Sequence, residues 1–329
     1  MRIEFLEDVA VPVIVAPMAG GVSTPELISA VTNSGGFGFL PAGYLSVDAF
    51  AERLRATRAL TAKPFGVNLF VPTDTSTVDI SGYVREMRVE AGKYGVTPGD
   101  PHWDDDEYPA KLSLAIAEKM PVVSFTFGLP SAVDVQRLRA AGSVVIVTVT
   151  SVDEARLAVR AGADALCVQG IEAGGHRGGW LPEHSSDELF SLLHKVSEVV
   201  DVPLIATGGI GTGADVAAVL SAGAVAAQCG TAFLRCHEAG TKPAHRAQLA
   251  AGTRDTTLTR AFTGRRARGL ANRFTMAHID APEAYPQLHH LTAPIRAAGD
   301  PEAMSMWAGT AYRQAKELPA TEVLSTLTP

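Results

Sequence analysis

Eight short runs of β-branched or apolar residues, each followed by an amphipathic stretch that tends to close on Ala-Gly or Gly-Gly, leave this chain few folds to choose from. The runs are Val11–Ala16, Gly36–Leu40, Phe65–Phe70, Val122–Phe127, Val144–Thr150, Ala165–Gln169, Leu204–Gly208 and Ala224–Cys229. Between and after them lie helical stretches at 24–34, 47–60, 83–120 with an insertion, 131–141, 152–161, 187–200, 213–222 and 232–250. Residues Ser151 to Gly162 show the pattern: a Ser to cap the helix, acids in the first turn where the dipole favours them, and a Gly to end it. Near-continuous apolar strands belong to parallel sheets covered on both faces. Eight such units in about 250 residues predict an α/β fold, a closed (β/α)8 TIM barrel, with a doubly wound open sheet as the alternative.

Two stretches fall outside the repeat. Residues 72–109 are polar and acidic, with Pro98, Gly99 and Pro101 ahead of Asp104-Asp105-Asp106-Glu107, and predict an insertion after strand three of the kind that forms a lid. From Asp255 the chain is rich in Arg, Pro and Ala. The expected organisation is therefore a barrel over residues 1–254 and a C-terminal segment over 255–329 that packs across the barrel mouth.

A chain of 329 residues that is 47% hydrophobic and 19% charged has the composition of a well-buried globular enzyme. Its net charge of −7, with no cluster of Lys and Arg, argues against a nucleic-acid partner. No apolar run reaches the ~18 residues of a membrane span, and Glu4, Glu7 and Asp8 stand where a signal peptide is basic. Cys167, Cys229 and Cys236 are odd in number and lack CxxC spacing, as buried reduced thiols would. The expectation is a cytoplasmic protein, monomer or homodimer, acting on a small molecule.

His176 follows the sixth strand in Gln169-Gly170-Ile171-Glu172-Ala173-Gly174-Gly175-His176-Arg177-Gly178-Gly179-Trp180. An imidazole among small neighbours lets a planar ligand approach and titrates near neutrality, which suits a proton-transfer group. The loops after strands seven and eight, Thr207-Gly208-Gly209-Ile210-Gly211-Thr212-Gly213 and Gln228-Cys229-Gly230-Thr231, are placed to hold one phosphate on backbone N–H groups. The glycine spacing departs from GxGxxG and the next strand offers no acid for a ribose, so a dinucleotide fold is not expected. Pro17 and Met18 provide an uncharged cover after strand one, while the amides of Asn68 and Gln169 suit the polar edge of a ring such as isoalloxazine. His102 beside the acidic run has no second His cluster at ligand spacing, so no metal is expected. GxSxG, Walker and HExxH motifs are absent.

Ala16-Pro17-Met18-Ala19-Gly20-Gly21, Pro64-Phe65-Gly66-Val67-Asn68-Leu69-Phe70, Glu172-Ala173-Gly174-Gly175-His176-Arg177-Gly178 and Phe262-Thr263-Gly264-Arg265-Arg266-Ala267-Arg268-Gly269-Leu270 together resemble the class I nitronate monooxygenases, formerly 2-nitropropane dioxygenases. The resemblance runs from about Val11 to Ala311. It implies non-covalent FMN and oxidation of alkyl nitronates by O2 to a carbonyl compound and nitrite. By motif, it implies that Asn68, Gln169, Gly174, Gly208, Gly209, Gln228, Gly230 and Thr231 bind FMN, with Pro17, Met18, Gly211 and Cys229 on the same loops. His176 is the implied catalytic base, and Tyr285 is the implied substrate contact. Thr310 stands where the family pattern after Trp-Ala-Gly has Gln. The first three motifs are shared in looser form with flavin-dependent enoyl-acyl carrier protein reductases, so the alternative function is FMN- and NADH-dependent reduction of an enoyl thioester. That reaction needs a basic patch for an acidic carrier, which the sequence lacks. A flavin-binding sensor has no evident use for a histidine at the ring.

Overall fold

A computed structural model of the chain describes residues 9–182 and 185–329, so Glu4, Glu7 and Asp8 lie outside the described residues. The eight apolar runs form β1 (Val13–Val15), β2 (Phe37–Pro41), β3 (Gly66–Phe70), β4 (Val122–Thr126), β5 (Val144–Val149), β6 (Ala165–Gln169), β7 (Leu204–Thr207) and β8 (Ala226–Cys229). They pair in parallel in that order, and β8 returns to β1 through Gln228 opposite Ile14, so the sheet closes into a barrel without a free edge. The open-sheet alternative is excluded by that closure.

Side chains alternate along each strand, and the inward set changes character from one end to the other. At the N-terminal end Ile14, Phe37, Phe39, Val122, Ile146, Ala165, Cys167, Ile205 and Ala226 fill the barrel as an apolar plug. Two residues further along the same faces stand Asn68, Ser124, Thr148, Gln169, Thr207 and Gln228. Gly66 makes room for the plug, because a Cβ there would lie 2.4 Å from the Phe39 ring. The barrel is thus packed shut at one end and polar at the other, where an active site of this fold belongs.

The insertion and the C-terminal segment meet over that polar end. Helix Ser81–Gly92 buries Tyr83, Met87 and Ala91 against Phe262, Phe274, Leu288, Leu291 and Ile295, a second apolar cluster apart from the barrel core. Helix Tyr108–Ala117 lies back on the barrel against β3, so the excursion ends just ahead of it. A three-stranded antiparallel sheet, made by Thr256–Thr259, Ala267–Leu270 and the two-residue strand Gly175–His176, joins the C-terminal segment to the loop after β6.

The outer ring of helices holds one exchange that local pattern does not show. Helix Pro243–Ala251, the ninth in chain order among the described residues, packs with the C-terminal segment, while the last helix, Ala320–Leu327, fits between Pro25–Asn33 and Gly213–Ser221. Val323, Leu324 and Leu327 join the main core there, and a Cβ on Gly213 would lie 2.5 Å from the Thr328 carbonyl oxygen. Although it sits at the end of the chain, Leu324 is buried like any core leucine. Leu324→Ala is therefore expected to destabilise by about 2–5 kcal/mol in urea unfolding. A change within experimental error would mean that this helix is not part of the ring.

Candidate active site

The polar end of the barrel opens into a cavity of about 450 Å³. Twelve of the residues expected from sequence line it: Pro17, Met18, Asn68, Gln169, Gly174, His176, Gly208, Gly209, Gln228, Cys229, Gly230 and Thr231. Two do not. Gly211 faces the C-terminal segment, where a Cβ would lie 2.0 Å from the Gln314 amide oxygen, and its N–H donates to the Asp215 carboxylate at 3.0 Å. Tyr285 lies behind the cavity wall, its ring 6.1 Å from His176 and its hydroxyl 3.3 Å from that of Tyr44, and lines a second, smaller cavity.

His176 is held by groups from two parts of the chain. Its backbone pairs with Ala267 of the C-terminal segment. Gln169 at the end of β6 uses both polar ends of its amide on the same loop: Nε2 donates to the His176 carbonyl at 3.0 Å, and Oε1 accepts from the Gly178 N–H at 2.9 Å. Gln169 therefore positions the histidine strand as well as lining the cavity. The imidazole Nε2 lies 2.9 Å from the Thr263 hydroxyl oxygen, which also accepts from the Arg265 N–H. Phe127 and Trp307 flank the ring with centroids at 5.6 and 5.3 Å. Burial, with the positive charges of Arg265 and Arg296 adding to it, pushes the His176 pKa down to about 3.

The same cavity is lined by Asn68, Gly208, Gly209, Gly230 and Thr231. Asn68 donates Nδ2 to the Ser124 and Thr126 hydroxyls at 2.9 and 3.0 Å, but its buried Oδ1 has no protein partner. An unspent buried acceptor on a cavity floor is the mark of a ligand donor that belongs there. Gly208 and Gly209 have φ of +120° and +71°, and a Cβ on Gly208 would lie 3.1 Å from the Ala173 nitrogen. Gly208 and Gly209 thus make a turn that favours glycine, while a Cβ on Gly230 would meet its neighbours at ordinary contact distance. Helix Gly213–Ser221 does not point a free N-terminus at that turn, because Asp215 and Thr212 form a closed capping box there. Of the glycines in the loops after β7 and β8, Gly208, Gly209 and Gly230 line the cavity. Burial pushes the Cys229 thiol up to about 12, so it is wall and not nucleophile.

Several residues in the cavity carried no local signal. Arg177, the nearest cation in sequence, turns away and donates to the carbonyls of Gln169 and Gly170. Arg296 lines the cavity instead, braced through Nε to the Thr292 hydroxyl at 3.0 Å and through Nη2 to the His289 carbonyl at 2.7 Å. Lys242 and His245 also line the cavity. Gly174 serves a packing need too, since a Cβ there would lie 2.4 Å from the Gly309 nitrogen. Thr310 is exposed, and its N–H donates to the Glu172 carbonyl.

Residues 4–329 match the family model described as nitronate monooxygenase. The chain belongs to the nitronate monooxygenase family. It is an enzyme, an oxidoreductase. A nitronate monooxygenase from Paraburkholderia phytofirmans is 41% identical to it, over 96% of this chain and 91% of that one. The crystal structure of a nitroalkane oxidase from Streptomyces ansochromogenes superposes with a TM-score of 0.94 at 46% identity, covering 98% of this chain and 95% of that one. FabK from Thermotoga maritima superposes less closely, with a TM-score of 0.78 at 27% identity over 99% of this chain and 95% of that one. Among the described residues, no helix is long and apolar enough to cross a membrane.

The depressed His176 has a measurable consequence. A histidine with a folded pKa of about 3, against about 6.5 unfolded, takes up its proton only on unfolding throughout the interval between those values. Stability must fall as pH falls through that window. In flavin-free protein, His176→Asn should remove one proton from this dependence, about 1.4 kcal/mol per pH unit, in urea unfolding across the window. Parallel curves for the two proteins would place the His176 pKa near its ordinary value.

Proposed function

We propose that this member of the family oxidises alkyl nitronates, propionate 3-nitronate among them, with O2 to a carbonyl compound and nitrite, using FMN held in the mouth cavity. The observation that carries this reading is that one cavity is lined by Asn68, whose buried Oδ1 has no protein partner, by Gly208 and Gly209 with their positive φ, and by His176 and Arg296. Asn68 and the strand-end glycines would hold the cofactor, with Pro17 and Met18 covering it. When bound, FMN supplies the electron transfer between nitronate and O2.

The chain's own residues select and orient the substrate. A nitronate is an anion, and the half-buried Arg296 guanidinium gives the cavity a fixed positive charge near a histidine that desolvation keeps neutral. In water-poor surroundings such a charge favours an anionic substrate over a neutral one. Phe127 and Trp307 close the sides of the histidine and exclude water there. The relative named nitroalkane oxidase favours a second substrate class, neutral nitroalkanes. Those need an α-proton removed, and neutral His176, with Thr263 accepting from Nε2, is the group in reach to take it at Nδ1. Tyr285 would act on this step through His176, against which it packs.

The purified protein should be yellow and release FMN rather than FAD on heating, since the turn at Gly208 and Gly209 has room for one phosphate. FMN at ~100 times its Kd should add ~2.7 kcal/mol of stability. Gly209→Asp should lose the flavin while the barrel stays folded, because a Cβ at that position would lie 3.1 Å from the Glu172 Cβ and the side chain beyond it would set a carboxylate against the phosphate. Colourless protein that gains no thermal stability from FMN would reject this cofactor.

His176→Asn separates the two substrate classes. Turnover of nitroethane should fall by ~10²–10⁴, the usual worth of a positioned base, while preformed nitronate should lose much less. Equal losses on both substrates, with flavin-replete enzyme, would make His176 a binding group and not the base. NADH oxidation with crotonyl thioester, measured beside nitrite release from propionate 3-nitronate, decides against the reductase alternative if only nitrite appears.

A further inference from the structure

We propose that His102, Asp104 and His290 form a binding site for a divalent transition-metal ion of the zinc type, which ties the insertion after β3 to helix Gln287–Ala297 above the barrel mouth. Ligand atoms of the three residues lie within 4.8 Å of one another, the one such trio among the described residues. The sequence shows only a lone His102 beside acids, and it is the fold that brings His290 to it from the C-terminal helix.

The arrangement has the features of a ligand set and not of a surface ion pair alone. Both imidazoles turn Nε2 to the same oxygen, Asp104 Oδ2, His290 at 2.6 Å and His102 at 3.8 Å. Two ligands bound to one tetrahedral ion at about 2.0–2.1 Å stand roughly 3.3 Å apart, a value between those two distances. The second nitrogen of His102 is already committed, its Nδ1 lying 2.9 Å from the Asp100 carbonyl. Such a bond fixes the tautomer and presents Nε2 as a lone pair, the usual outer-sphere partner of a metal-bound histidine. The rings stack at 3.9 Å with planes 16° apart, so protonating both would set two cations face to face. One shared ion satisfies all three acceptors without that repulsion. Two imidazoles and one carboxylate suit zinc, nickel or copper and not magnesium or calcium, and leave a fourth position for water.

None of the three residues lines the mouth cavity, so the ion would be a clamp and not a reactant. The insertion already touches the helix at this point: the Gly99 N–H donates to the Leu291 carbonyl at 2.9 Å, and a Cβ on Gly99 would lie 2.1 Å from the His290 oxygen. The preceding residue, His289, stacks on Tyr44 at 4.2 Å, lines the cavity and braces Arg296 through its carbonyl. Metal binding would therefore stiffen the helix that carries Arg296.

The test is titration of ZnCl2 into flavin-replete protein that carries no polyhistidine tag and has been dialysed against EDTA, followed by calorimetry and thermal unfolding. One ion per chain is expected, with a higher unfolding midpoint, and Co2+ in its place should give the visible absorption of a low-symmetry nitrogen and oxygen site. His102→Gln and His290→Gln should each weaken binding by more than about tenfold and abolish the thermal shift. The proposal falls if wild-type protein shows no saturable binding, or if the variants bind as wild type does. Should His290→Gln fail to fold, His102→Gln, whose side chain is exposed on a loop, decides by the same criteria.

Discussion

The antiparallel pairing of Gly175–His176 with Ala267–Arg268 is the contact on which the site depends. A two-residue strand has no stability of its own. It persists because the C-terminal segment supplies its ladder partner and because Gln169 spends both ends of its amide on the surrounding backbone. Arg265 adds a bond from Nε to the Arg177 carbonyl at 3.2 Å. The imidazole is thereby fixed between the end of a barrel strand and a segment far away in sequence, so the site exists only once the C-terminal segment has docked.

The barrel prepares the other half of the site through a gradient along the inward faces of its strands. Apolar side chains close one end, and amides and hydroxyls line the other. Buried polar groups need partners, and Ser124 and Thr126 serve the nitrogen of Asn68 while leaving its oxygen free. A fully satisfied floor would have no need of a cofactor. Among the described residues lining the cavity, Asn68 Oδ1 and His245 Nε2 are buried without a protein partner.

Charge in the cavity is arranged against the histidine. Arg265 and Arg296 both lie half-buried near it, and each makes protonation of His176 harder. Burial also pushes the Arg296 pKa down to about 10, a measure of what holding a cation there costs. The site that results is neutral at its histidine and positive at its arginine across the ordinary pH range. An incoming anion relieves the desolvated arginine, and a proton taken up by His176 is most favourable when such an anion is beside it.

Much of this was legible in the chain itself. Strand positions, the closed barrel and most cavity residues follow from alternation within strands and from turn chemistry between them, since both are set by neighbours a few residues away. Asn68, Gln169 and Gln228 are polar residues on the inward faces near the end of an apolar strand, and Gly208 and Gly209 mark a turn with positive φ. Gly211 belongs to the same glycine pattern, yet the C-terminal segment claims it, because the partner that excludes its Cβ lies at Gln314. Arg296, Lys242 and the meeting of His102 with His290 were set by docking of segments distant in sequence, as was the entry of helix Ala320–Leu327 into the ring. Periodicity states which face of an element is buried and is silent on what covers it. The sequence by itself determined the barrel and the half of the site built on strand ends; the tertiary structure decided the histidine's anchors, the cation beside it and the cap above them, because those depend on which distant surfaces fit together.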